Sequence, residues 1–179
     1  MSEGKKVRLA TVWLDACSGC HMSLLDMDDR LIDLAQKVEV LHSPYVDPKN
    51  FPDSVDVTLI EGSVSTNEDV HKVKMIRERT RILVSLGDCA VTGNIPAMRN
   101  RFSVKEVLDR AYMENAGRDH QIPLESLPRL LDKCRPVHEI VPVDVFVPGC
   151  PPSADVIHHV LSELAQGRMP ELSMVGRFG

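Results

Sequence analysis

The stretch from Asp15 to Ser23, DACSGCHMS, places two cysteines three positions apart directly after an apolar run. Two further cysteines lie in glycine-containing turns, GDCAVTG around Cys89 and PGCPP around Cys150. Thiolates are ligands for zinc and for iron-sulfur clusters, and a CxxC pair at a helix N-terminus also forms reactive redox disulfides. These four residues are therefore candidates for a metal centre or a redox site.

Each of these turns follows an apolar, β-branched segment of the kind that forms a buried strand. The predicted strands are Val7–Leu14, Val38–Leu41, Val55–Ile60, Ile82–Leu86 and Val143–Val147. The predicted helices are one with apolar residues at helical spacing from Leu24 to Ala35, one from an Asn67 cap to Arg79, one over 103–115, and one from a Ser153 cap to Gly167. Strands that alternate with helices indicate a doubly wound α/β fold, a parallel sheet with helices on both faces.

In such a sheet the carboxyl ends of the strands meet at one edge, where ligands bind. Four of the five cysteines follow predicted strands: Cys17, Cys20, Cys89 and Cys150. A redox disulfide explains only the first two, and structural zinc usually takes two closely spaced pairs from one short segment. An iron-sulfur cluster accepts all four, although zinc stays open. Cys134 lies apart, and we interpret it as a small buried side chain.

Composition narrows the class of protein. The net charge of −5 argues against a nucleic-acid partner, and no apolar run approaches the length of a membrane span. The N-terminus lacks a signal-peptide pattern and the cysteine count of five is odd, so we expect a cytoplasmic protein with reduced thiols. Because neither GxGxxG nor GxxxxGK[ST] occurs, direct binding of NAD or another nucleotide is not expected.

The motifs CSGC, EG, GDCA and VPVDVFVPGCPP, in this order, resemble those of the small subunits of nickel-iron hydrogenases and of the related 20 kDa-type subunit of respiratory complex I. The resemblance covers nearly the whole chain and implies a flavodoxin-like fold. It also implies one 4Fe-4S cluster with Cys17, Cys20, Cys89 and Cys150 as its ligands. Complex I relatives have adjacent cysteines at the first position, so CSGC favours the hydrogenase side.

No cysteine follows Cys150, so we expect a single iron-sulfur domain over 1–179 without a C-terminal multi-cluster domain. This brevity resembles the soluble, NAD-reducing hydrogenases. The resemblance then implies an electron-transfer subunit that is not catalytic alone. Its partners would be a large subunit with the nickel-iron centre and a diaphorase with flavin and iron-sulfur clusters.

Other residues of the motifs have less certain roles. Many relatives have glutamate and threonine on either side of the first cysteine, where this chain has Ala16 and Ser18, so a proton route through that glutamate is not expected. Glu61 is a candidate proton relay or an exposed carboxylate at a strand end. His21 would bond a cluster sulfur, face the partner, or have no role. The expected partner surface comprises Ala16 to His21, Glu61 to Ser65 and Cys89 to Asn94.

Three other functions remain open on the sequence alone. A flavodoxin-like fold suits an FMN-binding electron carrier, although the loop that would hold the phosphate already carries Cys17 and Cys20. A quinone-reductase type of electron-transfer subunit and a zinc-stabilised interaction module are the others. A visible spectrum separates the cofactors, because clusters are brown, flavins are yellow and zinc is colourless.

Overall fold

The computed structural model describes residues 6–118 and 120–173. In this part of the chain a five-stranded parallel sheet forms from β1 (Val7–Trp13), β2 (Val38–His42), β3 (Val55–Glu61), β5 (Thr80–Leu86) and β7 (Val145–Val147). A separate antiparallel pair forms from β4 (Val64–Thr66) and β6 (Leu130–Arg135).

The large sheet has the strand order β2-β1-β3-β5-β7. If its five strands are numbered by themselves, the order is 2-1-3-4-5, which is that of flavodoxin-like folds. The order reverses between β1 and β3, so the loops after these two strands diverge to opposite sides and leave a crevice at the carboxyl edge. The predicted flavodoxin-like α/β fold is thus confirmed.

Helices cover the two faces of the sheet. They are α1 (Gly19–Leu25), α2 (Arg30–Lys37), α3 (Asn67–Arg79), α4 (Asp88–Thr92), α5 (Val104–Asp109) and α6 (Ala154–Ala165). Between them lie 3₁₀ turns at Pro96–Arg101 and Val137–Glu139, and a π-helical turn at Arg110–Glu114.

Each face of the sheet has its own apolar core, because neighbouring residues of a strand point to opposite sides. Leu59 of β3 belongs to the core that includes Ile157 and Leu164 of α6, whereas Ile60 belongs to the core that includes Ile76 of α3. All of these side chains are at most 1% exposed. Packing on both faces fixes the strands, and therefore the positions at which the loops of the carboxyl edge begin.

Several boundaries differ from the sequence-based predictions. The helix expected around Leu24 to Ala35 is two helices, because Asp28 between them has a φ of +53°, which a right-handed helix does not accommodate. The cap of α3 is Thr66 rather than Asn67, and Thr66 forms a capping box with Asp69. The predicted helix over 103–115 and the Ser153 cap of α6 are confirmed.

The last strand is shorter than predicted, and one small sheet was missed. β7 begins at Val145 because the carboxylate of Asp144 accepts the backbone N–H of Leu83 at 2.7 Å. At that point a side-chain hydrogen bond takes the place of a backbone hydrogen bond between the two strands. The pair β4–β6 was not predicted, because β4 is only three residues long and β6 lies in a stretch limited by prolines.

Candidate metal centre

The structure brings the four strand-exit cysteines to one edge of the sheet. Cys17 and Cys20 follow β1, with Cys20 in the first turn of α1. Cys89 lies in α4 directly after β5, and Cys150 follows β7. A Cβ on Gly87, two residues before Cys89, would meet the Sγ of Cys20 and the carbonyl of Gly149, and one on Gly19 would meet the Sγ of Cys17 and the side chain of Pro151, so the three cysteine-bearing loops are in contact.

Burial and this crowding of like charge disfavour the thiolate forms. Burial raises the pKa of the Cys20 thiol far above its ordinary value, and the charges of Glu61 and the other cysteines raise it further. Burial, followed by the charges of Cys150 and Cys17, raises the pKa of Cys89 to about 11. Cys20 and Cys89 will therefore form thiolates more readily when positive charge is placed beside them.

Two glycines leave space beside the sulfur atoms. A Cβ on Gly87 would lie 2.2 Å from the Sγ of Cys20, and Gly87 has a φ of +82°, which favours glycine. A Cβ on Gly19 would lie 3.2 Å from the Sγ of Cys17. Glycine at these two positions therefore lets the sulfurs of Cys20 and Cys17 approach the backbone closely.

Backbone hydrogen bonds join the Cys89 loop to the Cys150 loop. Gly87 N–H donates to the Val147 carbonyl at 2.8 Å, and Asp88 N–H donates to the Gly149 carbonyl at 2.9 Å. The Asp88 carboxylate accepts the Gly149 N–H at 2.7 Å. Because these bonds join the residues that directly precede the two cysteines, Cys89 and Cys150 have a fixed relation to each other.

Glu61, at the end of β3, holds the CSGC loop. Its carboxylate accepts the backbone N–H groups of Cys20 at 3.4 Å and His21 at 3.0 Å, and it forms a short contact with Nδ1 of His21. Glu61 and His21 are each 1% exposed. The alternative of an exposed strand-end carboxylate is therefore wrong for Glu61, and His21 is a buried partner of Glu61 rather than a surface residue.

The contact between Glu61 and His21 was not predicted, although its signals are present in the sequence: a glutamate ends an apolar strand and a histidine follows the second cysteine. The rings of Trp13 and Tyr45 contact the His21 ring edge-on, with centroid distances of 5.5 and 5.8 Å. Nε2 of His21 is buried without a hydrogen-bond partner in the described part of the chain. The pair is thus enclosed by aromatic groups beside the cysteines.

Cys134 is separate from the edge. It lies in β6, is 3% exposed, and its Sγ donates to the hydroxyl of Ser63 at 2.9 Å. The interpretation of Cys134 as a buried side chain is confirmed.

The expected partner surface needs one correction. Residues 61–65 are all buried within the chain, because β6 pairs with β4 and Arg99 donates to the Ser65 carbonyl. The exposed apolar side chains closest in sequence to Cys89 are instead Ile95 and Met98, at 63% and 65% exposure. They lie at the 3₁₀ turn that follows the Cys89 loop.

Two kinds of feature are absent from residues 6–118 and 120–173. No three His, Cys, Asp or Glu side chains there are arranged to hold a single metal ion. No helix there has the length and apolar character needed to cross a membrane.

Comparison with known proteins identifies the family of this chain. Residues 17–164 match the family described as NADH ubiquinone oxidoreductase, 20 Kd subunit. The chain belongs to this family. The matched region begins at Cys17 and includes all four strand-exit cysteines.

Among members with curated descriptions, the NAD-reducing hydrogenase HoxS subunit delta of Cupriavidus necator is 41% identical, and the match covers 97% of this chain and 86% of that subunit. A subunit of the F420-non-reducing hydrogenase vhu of Methanocaldococcus jannaschii is 36% identical over 93% of this chain and 58% of its own length. The chain thus spans most of the first relative and little more than half of the second. Both of these relatives are hydrogenase subunits.

Solved structures of hydrogenase chains are also similar to this chain. A chain in the crystal structure of an NAD+-reducing [NiFe]-hydrogenase in the H2-reduced state superposes with a TM-score of 0.93 at 40% identity, over 98% of this chain and all of that one. A [NiFeSe]-hydrogenase chain from Dm. baculatum has a TM-score of 0.58 at 19% identity, which shows a shared fold alone.

Proposed function

We propose that this chain is the electron-transfer small subunit of a nickel-iron hydrogenase of the NAD-reducing type, and that Cys17, Cys20, Cys89 and Cys150 hold one 4Fe-4S cluster. The observation that carries the proposal is the meeting of these four cysteines at one edge of the sheet, in a chain 41% identical to a subunit of an NAD-reducing hydrogenase.

The donor set and its surroundings fit a cluster. The four cysteines lie in loops that meet at one edge, and Gly19 and Gly87 let the sulfurs of Cys17 and Cys20 approach the backbone closely. Burial, followed by negative charge nearby, raises the pKa of Cys20 and Cys89, so positive charge bound there would favour their thiolates. A single zinc ion, with bonds of about 2.3 Å, would need its four sulfurs within about 4 Å of each other. Each cysteine of a cubane binds a different iron, so a cluster suits ligands that come from three separate loops, as the pair Cys17 and Cys20, Cys89 and Cys150 do.

When bound, the cluster would accept and return one electron at a time. The chain positions the sulfurs and sets their exposure: Cys20 is buried, whereas Cys17 and Cys150 are exposed and available to a partner chain. In the proposed assembly the nickel-iron centre of the large subunit would supply two electrons and two protons from H2. The four cysteines of this chain would hold the group that passes the electrons singly to the diaphorase, where a flavin would supply two electrons and one proton to NAD+.

Glu61 has a positioning role in this proposal. Its carboxylate is occupied by the N–H groups of Cys20 and His21 and by the His21 ring, and it therefore fixes the loop that carries two of the cysteines. The proton-relay role stays a prediction, as do the cytoplasmic location and the single iron-sulfur domain over 1–179.

The partner surface that we propose comprises Cys17, Cys150, Ile95 and Met98. These residues are exposed around the edge, and association with a large subunit would bury them. An obligate interface of this kind commonly buries more than about 2,000 Å².

The test is purification of the native complex, followed by metal analysis and identification of its chains. We expect nickel in the complex, no hydrogen uptake by the isolated chain, and hydrogen-dependent dye reduction once the large subunit is present. NAD reduction should require the flavin-bearing module in addition. Dye reduction by the single chain, or a native complex without nickel, would contradict the proposal.

A visible spectrum of the same preparation distinguishes the alternative functions. Broad absorption with bound iron and sulfide supports the cluster, whereas a fluorescent yellow chromophore supports FMN. A colourless preparation that contains zinc supports the interaction module. Reduction of a quinone by a complex of this chain with the large subunit alone would support the quinone-reductase type of electron-transfer subunit.

A further inference from the structure

The turn Gly93–Ile95, which follows α4, lies against two of the four cysteines. The side-chain amide of Asn94 is placed with its Nδ2 at 3.5 Å from the Sγ of Cys150, and it donates a hydrogen bond to that sulfur. Asn94 has a φ of +33°, a backbone conformation that turns its side chain back towards the cysteine edge. Gly93, with a φ of +88°, ends α4 by donating its N–H to the Cys89 carbonyl at 3.0 Å.

The cysteine that accepts this hydrogen bond lies in a loop that is joined to the Cys89 loop. Backbone hydrogen bonds through Gly87 and Gly149 join the residues that directly precede the two cysteines. The turn after α4 therefore donates across to the sulfur in the loop after β7.

We infer that Asn94 raises the reduction potential of the cluster by donating a hydrogen bond to the sulfur of Cys150. Adding one electron from the hydrogen-oxidising partner increases the negative charge on this sulfur. A donated hydrogen bond therefore stabilises the reduced form more than the oxidised form. Asn94 is thus a positioning residue that acts through the Cys150 sulfur and changes the reduction potential of the cluster. The inference rests on the cluster proposed above.

The decisive variant is Asn94→Gly in the native complex. Glycine adopts a positive φ without strain, so this change removes the amide donor and keeps the turn. We expect unchanged iron and sulfide content and a midpoint potential shifted to lower values in a redox titration followed by electron paramagnetic resonance. The matched control is Ser126→Gly, which makes the same kind of change to glycine at an exposed residue that also has a positive φ, +61°, outside the proposed partner surface, and its potential should equal that of the wild type.

The outcomes separate the two proposals. A fully loaded Asn94→Gly complex with the wild-type potential overturns this inference and leaves the proposed function intact. A wild-type complex in which this chain binds no iron or sulfide overturns both. If Asn94→Gly lowers the iron content, Asn94→Asp is titrated instead. It keeps the side-chain size but places an acceptor against the sulfur, and a potential that is not lowered overturns the inference.

Discussion

Glu61 and His21 lie 40 residues apart in the chain and form a buried pair, in which one carboxylate accepts both the backbone N–H and the ring Nδ1 of the histidine. Glu61 ends β3, and His21 lies in the first helical turn after Cys20. The central strand of the edge therefore holds the loop that carries the first two cysteines.

Replacing Glu61 by Gln should lower the free energy of unfolding by about 1–3 kcal/mol, because an amide offers one acceptor oxygen where the carboxylate offers two and carries no charge. Chemical denaturation measures the change. Glu39→Gln, at an exposed site in β2, is the control and should stay within about 0.5 kcal/mol of the wild type. Equal stability of the two variants would mean that the Glu61 hydrogen bonds contribute little.

Single replacement of Cys17, Cys20, Cys89 or Cys150 by Ala should remove or degrade the cluster and its broad visible absorption, because one iron loses its protein ligand. Iron and sulfide analysis checks the result. Cys134→Ala should keep the iron content and lower stability by about 1 kcal/mol, through loss of the Ser63 contact and a small cavity. The ligand set is wrong if Cys134 proves necessary and Cys150 dispensable.

Gly87→Ala should prevent cluster binding although it adds only one methyl group. The new Cβ would lie 2.2 Å from the Cys20 sulfur, at a φ of +82° that disfavours alanine. Gly117→Ala is the matched control, since a Cβ there meets nothing within 4 Å. Iron content and thermal unfolding of both variants measure the difference, and a Gly87→Ala protein with full iron content would show that the loop has more room than the structure gives it.

The stability of the chain should decrease between pH 7 and pH 5 because of His42. Burial, followed by the charge of Lys72, lowers the pKa of His42 from its ordinary value of 6.5, while a hydrogen bond with Pro48 opposes the shift. As the pH falls through 6.5 the unfolded chain takes up a proton before the folded chain does, so the free energy of unfolding falls.

The variant that checks this is His42→Gln, which should flatten the pH dependence of unfolding by urea across that interval. Lys72→Met removes one cause of the lowered pKa and should give an intermediate slope. A His42→Gln protein with the wild-type slope would assign the pH dependence to other groups.

The five-stranded sheet and the position of four cysteines at its edge could be predicted from the sequence, because β-branched runs and cysteines directly after them are local signals. Burial of Glu61 was not predictable in this way, since a carboxylate after a strand has the same local pattern whether solvent or a loop from 40 residues earlier covers it. The donation from Asn94 to Cys150 spans 56 residues and depends on a positive φ, so the motif GDCAVTG gave no sign of it.

The order of strands also has a consequence for how the protein is made. Cys17 and Cys150 come from opposite ends of the chain, and the thiols meet only when β7 has paired with β5. A nascent chain that has not yet released β7 from the ribosome therefore has three of the four thiols and an open sheet edge. With the proposed ligand set, cluster insertion would follow the pairing of β7 with β5, so a loaded cluster would report that the five-stranded sheet is complete.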